Sequence, residues 1–354
     1  MNVLEEHLLM LLRDFDARED THEVQFALAS PRYGWSWQWP YGVSSKPYFI
    51  ASITKLYTTA LVMQLRDEGA INLDQPAAAY LGESIVEGVH RYQGEEYSQR
   101  ITVRELLSHT SGIADYFEQK PKNGVSLFTR ILRQDSAWSF DDVLGMSREM
   151  RPQFKPSALG KAFYSDTNYQ LLGAIIEAVT KRSYEQVLQQ RILEPLGLKN
   201  TYVFMQDMQV QYQHISPMLY GKHFVEIPKA MASFRADGGI VSTTGDGLIF
   251  LKSFMAGQLF SGESLEEMQM SWNKVFPVLD YGVGLMRFKL PRYYTLFRKV
   301  PRMLGHSGAS GAVLFYVPEL DLYISGTVNQ IKKRRLPYQL LARLAMVYEK
   351  FLSK

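Results

Sequence analysis

Three short stretches of this chain carry side chains that can do chemistry together. The first is Ser52-Ile53-Thr54-Lys55, with an apolar run, Leu56 to Leu65, behind it. Leu56, Ala60 and Met63 recur at helical spacing and Gly69 follows as a stop, so the stretch reads as the mouth of a helix. Positions three apart share a helix face, which lets the Ser52 hydroxyl meet the Lys55 amine. A partly desolvated lysine that gives up its proton can take the hydroxyl's and turn the serine into a nucleophile. The positive end of a helix dipole also favours an oxyanion there. The plainer alternative is an N-cap serine followed by a solvated lysine. A second Ser-x-x-Lys, Ser271 to Lys274, has no long apolar helix behind it and is read as chance.

The other two stretches lie downstream. Tyr164-Ser165-Asp166 stands on a loop before a segment with strong helical periodicity, Asn168 to Thr180. A tyrosine there can show its hydroxyl to a cleft, and a nearby ammonium stabilises its phenolate for proton shuttling. A buried tyrosine beside a helix cap is the alternative. Leu304 to Gly311 is glycine-dense and enters a strand, so its backbone can approach a substrate closely. The Ala309 N–H can then join that of Ser52 in an oxyanion hole. His306 offers a proton or a hydrogen bond to a substrate carboxylate, unless it is simply polar surface.

The surrounding sequence supplies elements to hold these groups. Residues 4 to 15 form an amphipathic helix by pattern. Val24, Phe26 and Leu28, then Trp35, Trp37 and Trp39, alternate around a Pro31 to Gly34 turn and predict a β-hairpin, its tryptophans forming one packed face. From Ile71 to about Phe234 the chain reads as helices and loops, with a capping box at Thr102 to Glu105 and N-caps at Ser139 and Ser183. Strand signals return from Gly238: Gly239 to Thr243, a strand led by Tyr281 to Met286, and a hairpin from Gly311 to Val328. Leu336 to Leu352 closes as an amphipathic helix. The two strand groups can share one sheet. The expected fold is α+β, an antiparallel sheet flanked by N- and C-terminal helices, the sheet subdomain drawn from 1–70 and 235–354 and a mostly helical subdomain, 71–234, inserted.

Composition narrows the function. The 354 residues are 46% hydrophobic and 21% charged, ordinary for a globular chain with a substantial core. A net charge of +3 gives no basic stripe for nucleic acid, and Lys332 to Arg335 reads as a solvated turn. The absence of cysteine excludes a disulfide framework, a thiol nucleophile and cysteine-ligated zinc. No His-Glu-x-x-His zinc motif or Gly-x-Ser-x-Gly elbow occurs. The acidic start, Met1 to His7, does not read as a signal peptide, and no run approaches a membrane span. The expectation is a soluble chain, cytoplasmic as given, or exported if a leader was removed.

Ser52 to Lys55, Tyr164-Ser165-Asp166 and His306-Ser307-Gly308, in this order and spaced by 112 and 142 residues, resemble the three signature elements of the serine β-lactamase and penicillin-binding-protein superfamily. The branch most similar is that of class C β-lactamases, DD-carboxypeptidases, D-aminopeptidases and esterases. The stretches Ile101 to Gly112, Asn168 to Gly173, Gly238 to Thr243 and Tyr281 to Gly284 are similar too, so the resemblance covers about 24–330. It implies that Ser52 attacks a carbonyl with help from Lys55 and Tyr164, that the Ser52 and Ala309 amides hold the oxyanion beside Gly308, and that water releases an acyl-enzyme without metal or cofactor. The implied substrate is a peptide or amide containing a D-residue, or a small ester, with β-lactams as covalent ligands. Two positions depart from the pattern. The third element opens with His306 instead of lysine, which suggests a carboxylate-binding group active only when protonated. The second ends in Asp166 instead of asparagine. Facing the cleft, Asp166 favours a protonated Lys55 and repels anionic substrates; as a helix cap it does neither. A member without turnover that serves as a ligand-binding or regulatory protein is the remaining rival.

Overall fold

A computed structural model describes residues 3–40, 42, 45–290 and 300–352. Its main element is an eight-stranded antiparallel sheet. In spatial order the strands are Asn273–Phe276, Leu279–Tyr281, Met286–Phe288, Met303–Ser307, Ala312–Val317, Leu322–Thr327, Gln25–Ser30 and Trp35–Trp39. The first hairpin of the chain thus pairs with its last strand, Phe26 opposite Gly326 and Leu28 opposite Ile324.

Side-chain alternation sorts the two faces of the sheet. Phe26, Leu28, Val313, Phe315, Leu322 and Ile324 point into a core shared with helices Val3–Asp16 and Leu336–Leu352. Ala27, Ala29, Ala312 and Leu314 point the other way, toward helices Thr54–Asp67 and Thr244–Met255. The small residues let helix and sheet approach closely: a Cβ on Gly247 would stand 2.6 Å from Ser325 Oγ. Each large apolar side chain removed from water here contributes about 1.5–3 kcal/mol.

Helix Thr54–Asp67 is buried from Thr54 through Met63 and again at Leu65, so it runs through the interior with almost no solvated face. A second, three-stranded sheet of Tyr48–Phe49, Ile240–Ser242 and Tyr202–Val203 sits against it. This small sheet fixes the segment entering Ser52 and the segment leaving Asp237.

Local signals hold closely. Thr102, Ser139 and Ser183 each close a capping box. Trp35 and Trp39 are half-buried and Trp37 buried on one face, with Ser36 and Gln38 exposed. Between 71 and 234, however, the hairpins Arg91–Tyr92 with Glu95–Glu96 and Met218–Tyr220 with His223–Val225 interrupt the expected helices and loops. Strands of two or three residues are too short to show a period of two. Among the described residues, no helix is long and apolar enough to cross a membrane.

Candidate active site

Ser52 lies in a single 3-10 turn, Ala51–Ile53, immediately before helix Thr54–Asp67. Ala51 takes φ +46°, a left-handed conformation unusual for a residue with a Cβ. The surroundings hold it. Ile50 N–H donates to Ile240 O at 3.0 Å, and Ser310 Oγ donates to Phe49 O at 2.6 Å. Gly308 presses so closely that a Cβ there would lie 2.2 Å from Ile50 O, a contact only glycine permits. The backbone of 308–310, Ala309 included, therefore runs alongside the Ser52 turn. Ser52, Gly308 and Ala309 are all partly exposed.

Behind Ser52 the Lys55 amine is fully buried. It has three N–H bonds and three oxygen acceptors: Ser52 Oγ at 3.2 Å, Asp166 Oδ1 at 2.6 Å and Asp237 O at 2.6 Å. Two aromatic faces flank it, Tyr164 with its centroid at 5.1 Å and Tyr169 at 5.4 Å. A carboxylate, a carbonyl and two π faces thus surround the amine. Of the two placements the sequence leaves open for Asp166, the geometry takes the one in which it meets Lys55 and not the one in which it caps a helix. Asp166 is the first residue of helix Asp166–Thr180 and does not cap it; its carboxylate turns to Lys55, and its side chain keeps an exposed edge of 11%.

Two further buried carboxyls stand beside Asp166. Asp115 Oδ1 accepts the Asp166 backbone N–H at 2.9 Å, and Asp115 Oδ2 accepts that of Glu118 at 2.7 Å. Burial first, then the Asp166 charge, push Asp115 up to about 7. Asp237 Oδ2 accepts the Tyr116 hydroxyl at 2.8 Å, and burial followed by the Asp166 charge drive this carboxyl well above the ordinary range. The adjacent residues Asp115 and Tyr116 thus hold the two aspartates that supply Lys55 with acceptors, Asp166 by its backbone N–H and Asp237 by its carboxyl. Ser165 Oγ and Thr167 Oγ1 fasten the same loop by donating to Ala114 O at 3.2 and 2.7 Å. The Asp237 carbonyl is delivered by a strained turn: Arg235 has φ +47° and is held by ion pairs to Glu177 and Glu185 at 2.6 and 2.7 Å.

The opposite side is built of phenols and imidazoles. The Tyr164 ring tilts over His109, with centroids 4.3 Å apart. Its hydroxyl is buried without a hydrogen-bond partner among the described residues. Burial, then the Asp166 charge, raise this phenol well above its usual range, while the Ser52 hydroxyl pulls the other way. The phenol is therefore neutral at rest. His109 Nδ1 accepts from Ser165 N–H at 3.2 Å and from the Asn168 amide at 3.1 Å, which places the ring proton on Nε2. Burial and then Lys55 hold His109 well below the ordinary histidine range.

His306 overturns an expectation. It is fully buried, with Nδ1 donating to Ser307 O at 2.7 Å and Nε2 accepting from Tyr281 OH at 3.0 Å. Burial, then the Lys55 charge, push it down to about 3. Both nitrogens are committed and the ring stays neutral, so it does not present a protonatable carboxylate binder to substrate. Its bond to Tyr281, which in turn meets Tyr169 OH at 3.2 Å, fixes the wall of the site.

The structure therefore gathers Ser52, Lys55, Asp166 and the Tyr164 ring, aligns Gly308 and Ala309 with the serine, and sets His306 behind them. Ser271 precedes the edge strand Asn273–Phe276 and Lys274 lies within it, both exposed. Sequence reasoning missed His109, Asp115, Tyr116 and Asp237. Each sits in or beside a stretch already singled out, but their pairing joins residues far apart in the chain. Among the described residues no group of His, Asp or Glu is arranged to hold a metal ion.

A family model described as Beta-lactamase matches residues 42–345. Penicillin-binding protein 4 of Amycolatopsis lactamdurans is 32% identical over 148 residues, 42% of this chain and 33% of the relative. A putative D-alanyl-D-alanine carboxypeptidase of Escherichia coli (strain K12) is 26% identical over 302 residues, 77% of this chain and 66% of the relative. The chain thus spans less than two thirds of these relatives' length. The crystal structure of a D-stereospecific amidohydrolase from Streptomyces sp. superposes with a TM-score of 0.71 at 25% identity, covering 92% of this chain and 94% of the other.

Proposed function

The chain belongs to the beta-lactamase family, and on that premise we propose that it is a serine hydrolase that forms an acyl-enzyme on Ser52, with an amide or peptide as acyl donor. The observation that carries the reading is the partly exposed Ser52, its hydroxyl 3.2 Å from an ammonium ion-paired to Asp166. In this reading Lys55 manages the serine proton, and Tyr164, a neutral phenol, donates toward the leaving group. The Ser52 and Ala309 amides receive the oxyanion.

Charge selects the substrate. Lys55 is committed to Asp166 and Arg334 to Glu118, and His306 is neutral and buried. These groups offer a terminal carboxylate no free cation, whereas the exposed edge of Asp166 favours a positive group. We therefore favour amides whose acyl part carries a free amine, such as D-amino acid amides, over carboxylate-terminated D-Ala-D-Ala peptides and β-lactams, which serve as slow acylating ligands. The D-stereospecific amidohydrolase supports this order. A small ester is the second reading. Phe276, exposed and with its ring centroid 5.7 Å from that of Tyr164, gives an uncharged group an apolar neighbour.

The test is a panel of D-amino acid amides, D-Ala-D-Ala peptides, short-chain p-nitrophenyl esters and a chromogenic cephalosporin, with Ser52→Ala as blank. Turnover is expected on the amides first and the esters next, with an acyl adduct of Ser52 seen by intact mass. Adducts that never decay identify a dead-end binder. No adduct and no turnover in the wild type overturns the hydrolase reading.

A further inference from the structure

We propose that Asp166 is the terminal proton acceptor of a two-step relay in which Ser52 passes its proton to Lys55 while Lys55 passes one of its own to Asp166. The inference rests on the acyl-enzyme reading above and goes beyond it by assigning where the proton goes. It follows from counting. All three Lys55 protons are occupied, by Ser52 Oγ, Asp166 Oδ1 and Asp237 O, so the amine has no lone pair to offer until one proton leaves. Ser52 is the group to be deprotonated and the Asp237 oxygen is an amide carbonyl, a very weak base. Asp166 Oδ1, at 2.6 Å, is the acceptor that remains.

The step balances. The Ser52 O–H bond breaks as an N–H bond forms on Lys55. A second Lys55 N–H breaks as an O–H bond forms on Asp166. The Ser52 oxygen bonds the substrate carbonyl carbon, and its π pair moves onto the oxyanion. When the tetrahedral species collapses, Lys55 delivers a proton to the departing amine or alkoxide, directly or through Tyr164, and recovers one from Asp166. The ion pair is restored and no outside acid or base is consumed.

The groups facing the pair favour this arrangement. Asp115 and Asp237 stand against Asp166 and are pushed toward their protonated forms by burial and by its charge. His109, His306, Tyr164 and Tyr169, which face Lys55 from the other side, are neutral. Arg334 also feels the Asp166 charge, and its own partner is Glu118.

The probe is a fluorophosphonate, whose attack by Ser52 expels fluoride, followed as labelling rate against pH and in H2O–D2O mixtures. Asp166→Asn is expected to slow labelling at pH 7 by about 100-fold and move the rising limb of its pH profile to higher pH. The curved dependence on deuterium fraction of two protons in flight should become a straight line. Asp166→Glu, which keeps the acceptor, is expected to restore most of the rate and the curvature. Labelling by Asp166→Asn that is as fast as wild type or faster, or an unchanged pH profile and isotope curve, overturns the relay and leaves the hydrolase reading standing. Wild-type labelling no greater than that of Ser52→Ala overturns both. If Asp166→Asn loses its cooperative thermal transition, the wild-type isotope curve with Asp166→Glu decides: straight lines in both overturn the relay.

Discussion

The two sides of the Lys55 pocket solve opposite problems. On one side Asp166 meets the single ammonium, with the carboxyls of Asp115 and Asp237 behind it. On the other, His109, His306, Tyr164, Tyr169 and Tyr281 give it rings and no countercharge. Burial acts on both, shifting proton affinity in opposite directions: it pushes Asp115 and Asp237 up, toward their protonated form, and His109 and His306 down, toward theirs without the proton. Both shifts discharge the group concerned. What survives is one ion pair, Lys55 with Asp166, in a shell that has been neutralised from either direction. The contrast teaches that the site isolates a single ion pair and does not accumulate charge around it.

Removing the ammonium should break the contrast most severely. Lys55→Met leaves Asp166 buried without its partner and is expected to cost about 3–5 kcal/mol of stability by chemical denaturation, with labelling of Ser52 reduced about a thousand-fold. Adding Asp166→Asn should recover part of that loss. A double variant as unstable as the sum of the singles would show that the ion pair carries no coupling energy.

Acid and base titration of stability sharpens the same contrast at smaller scale. His306 has its proton affinity lowered from 6.5 to about 3 in the fold. Its contribution is intact above pH 6.5 and is lost as pH falls toward 3, by at most about 1.4 kcal/mol per pH unit. Asp115, raised from 3.8 to about 7, runs the other way: its contribution is present below 3.8 and lost as pH rises toward 7. The stability of wild type minus His306→Gln should therefore climb with pH between 3 and 6.5. That of wild type minus Asp115→Asn should fall between 4 and 7. Two curves of the same sign would remove the distinction. The smallest effect is expected far from the pocket, where Ser271→Ala should leave Ser52 labelling unchanged and alter stability by less than about 0.5 kcal/mol.

Much of this was readable in the chain. The Ser52 helix, the capping boxes at Thr102, Ser139 and Ser183, and the 311–328 hairpin depend on neighbours in sequence, and patterns of three to four residues encode them. The family resemblance supplied the order of the site elements, and the fold matches it. The electrostatic shell was not readable. Whether Asp166 capped a helix or met Lys55 turned on Asp115, 51 residues away, taking the Asp166 N–H itself. Likewise, His306 looked like a titrating turn residue because nothing near it in sequence announces Tyr281 as the donor to its Nε2. Burial of an ionisable group is a property of the packed chain, and local periodicity does not carry it.

The stapling of Gly308 and Ser310 onto Ile50 and Phe49 has a consequence for how this mouth can change its bore. The nucleophile turn and the strand beside it are welded, so neither can retreat to admit a bulkier acyl group without dragging the other. Room has to come from the loops 109–119 and 155–165, which bond to each other at His109, Thr110 and Ala114 and not to Ile50 or Phe49. Directed diversification of acyl-group size belongs in that wall, the welded one being left as the fixed jaw.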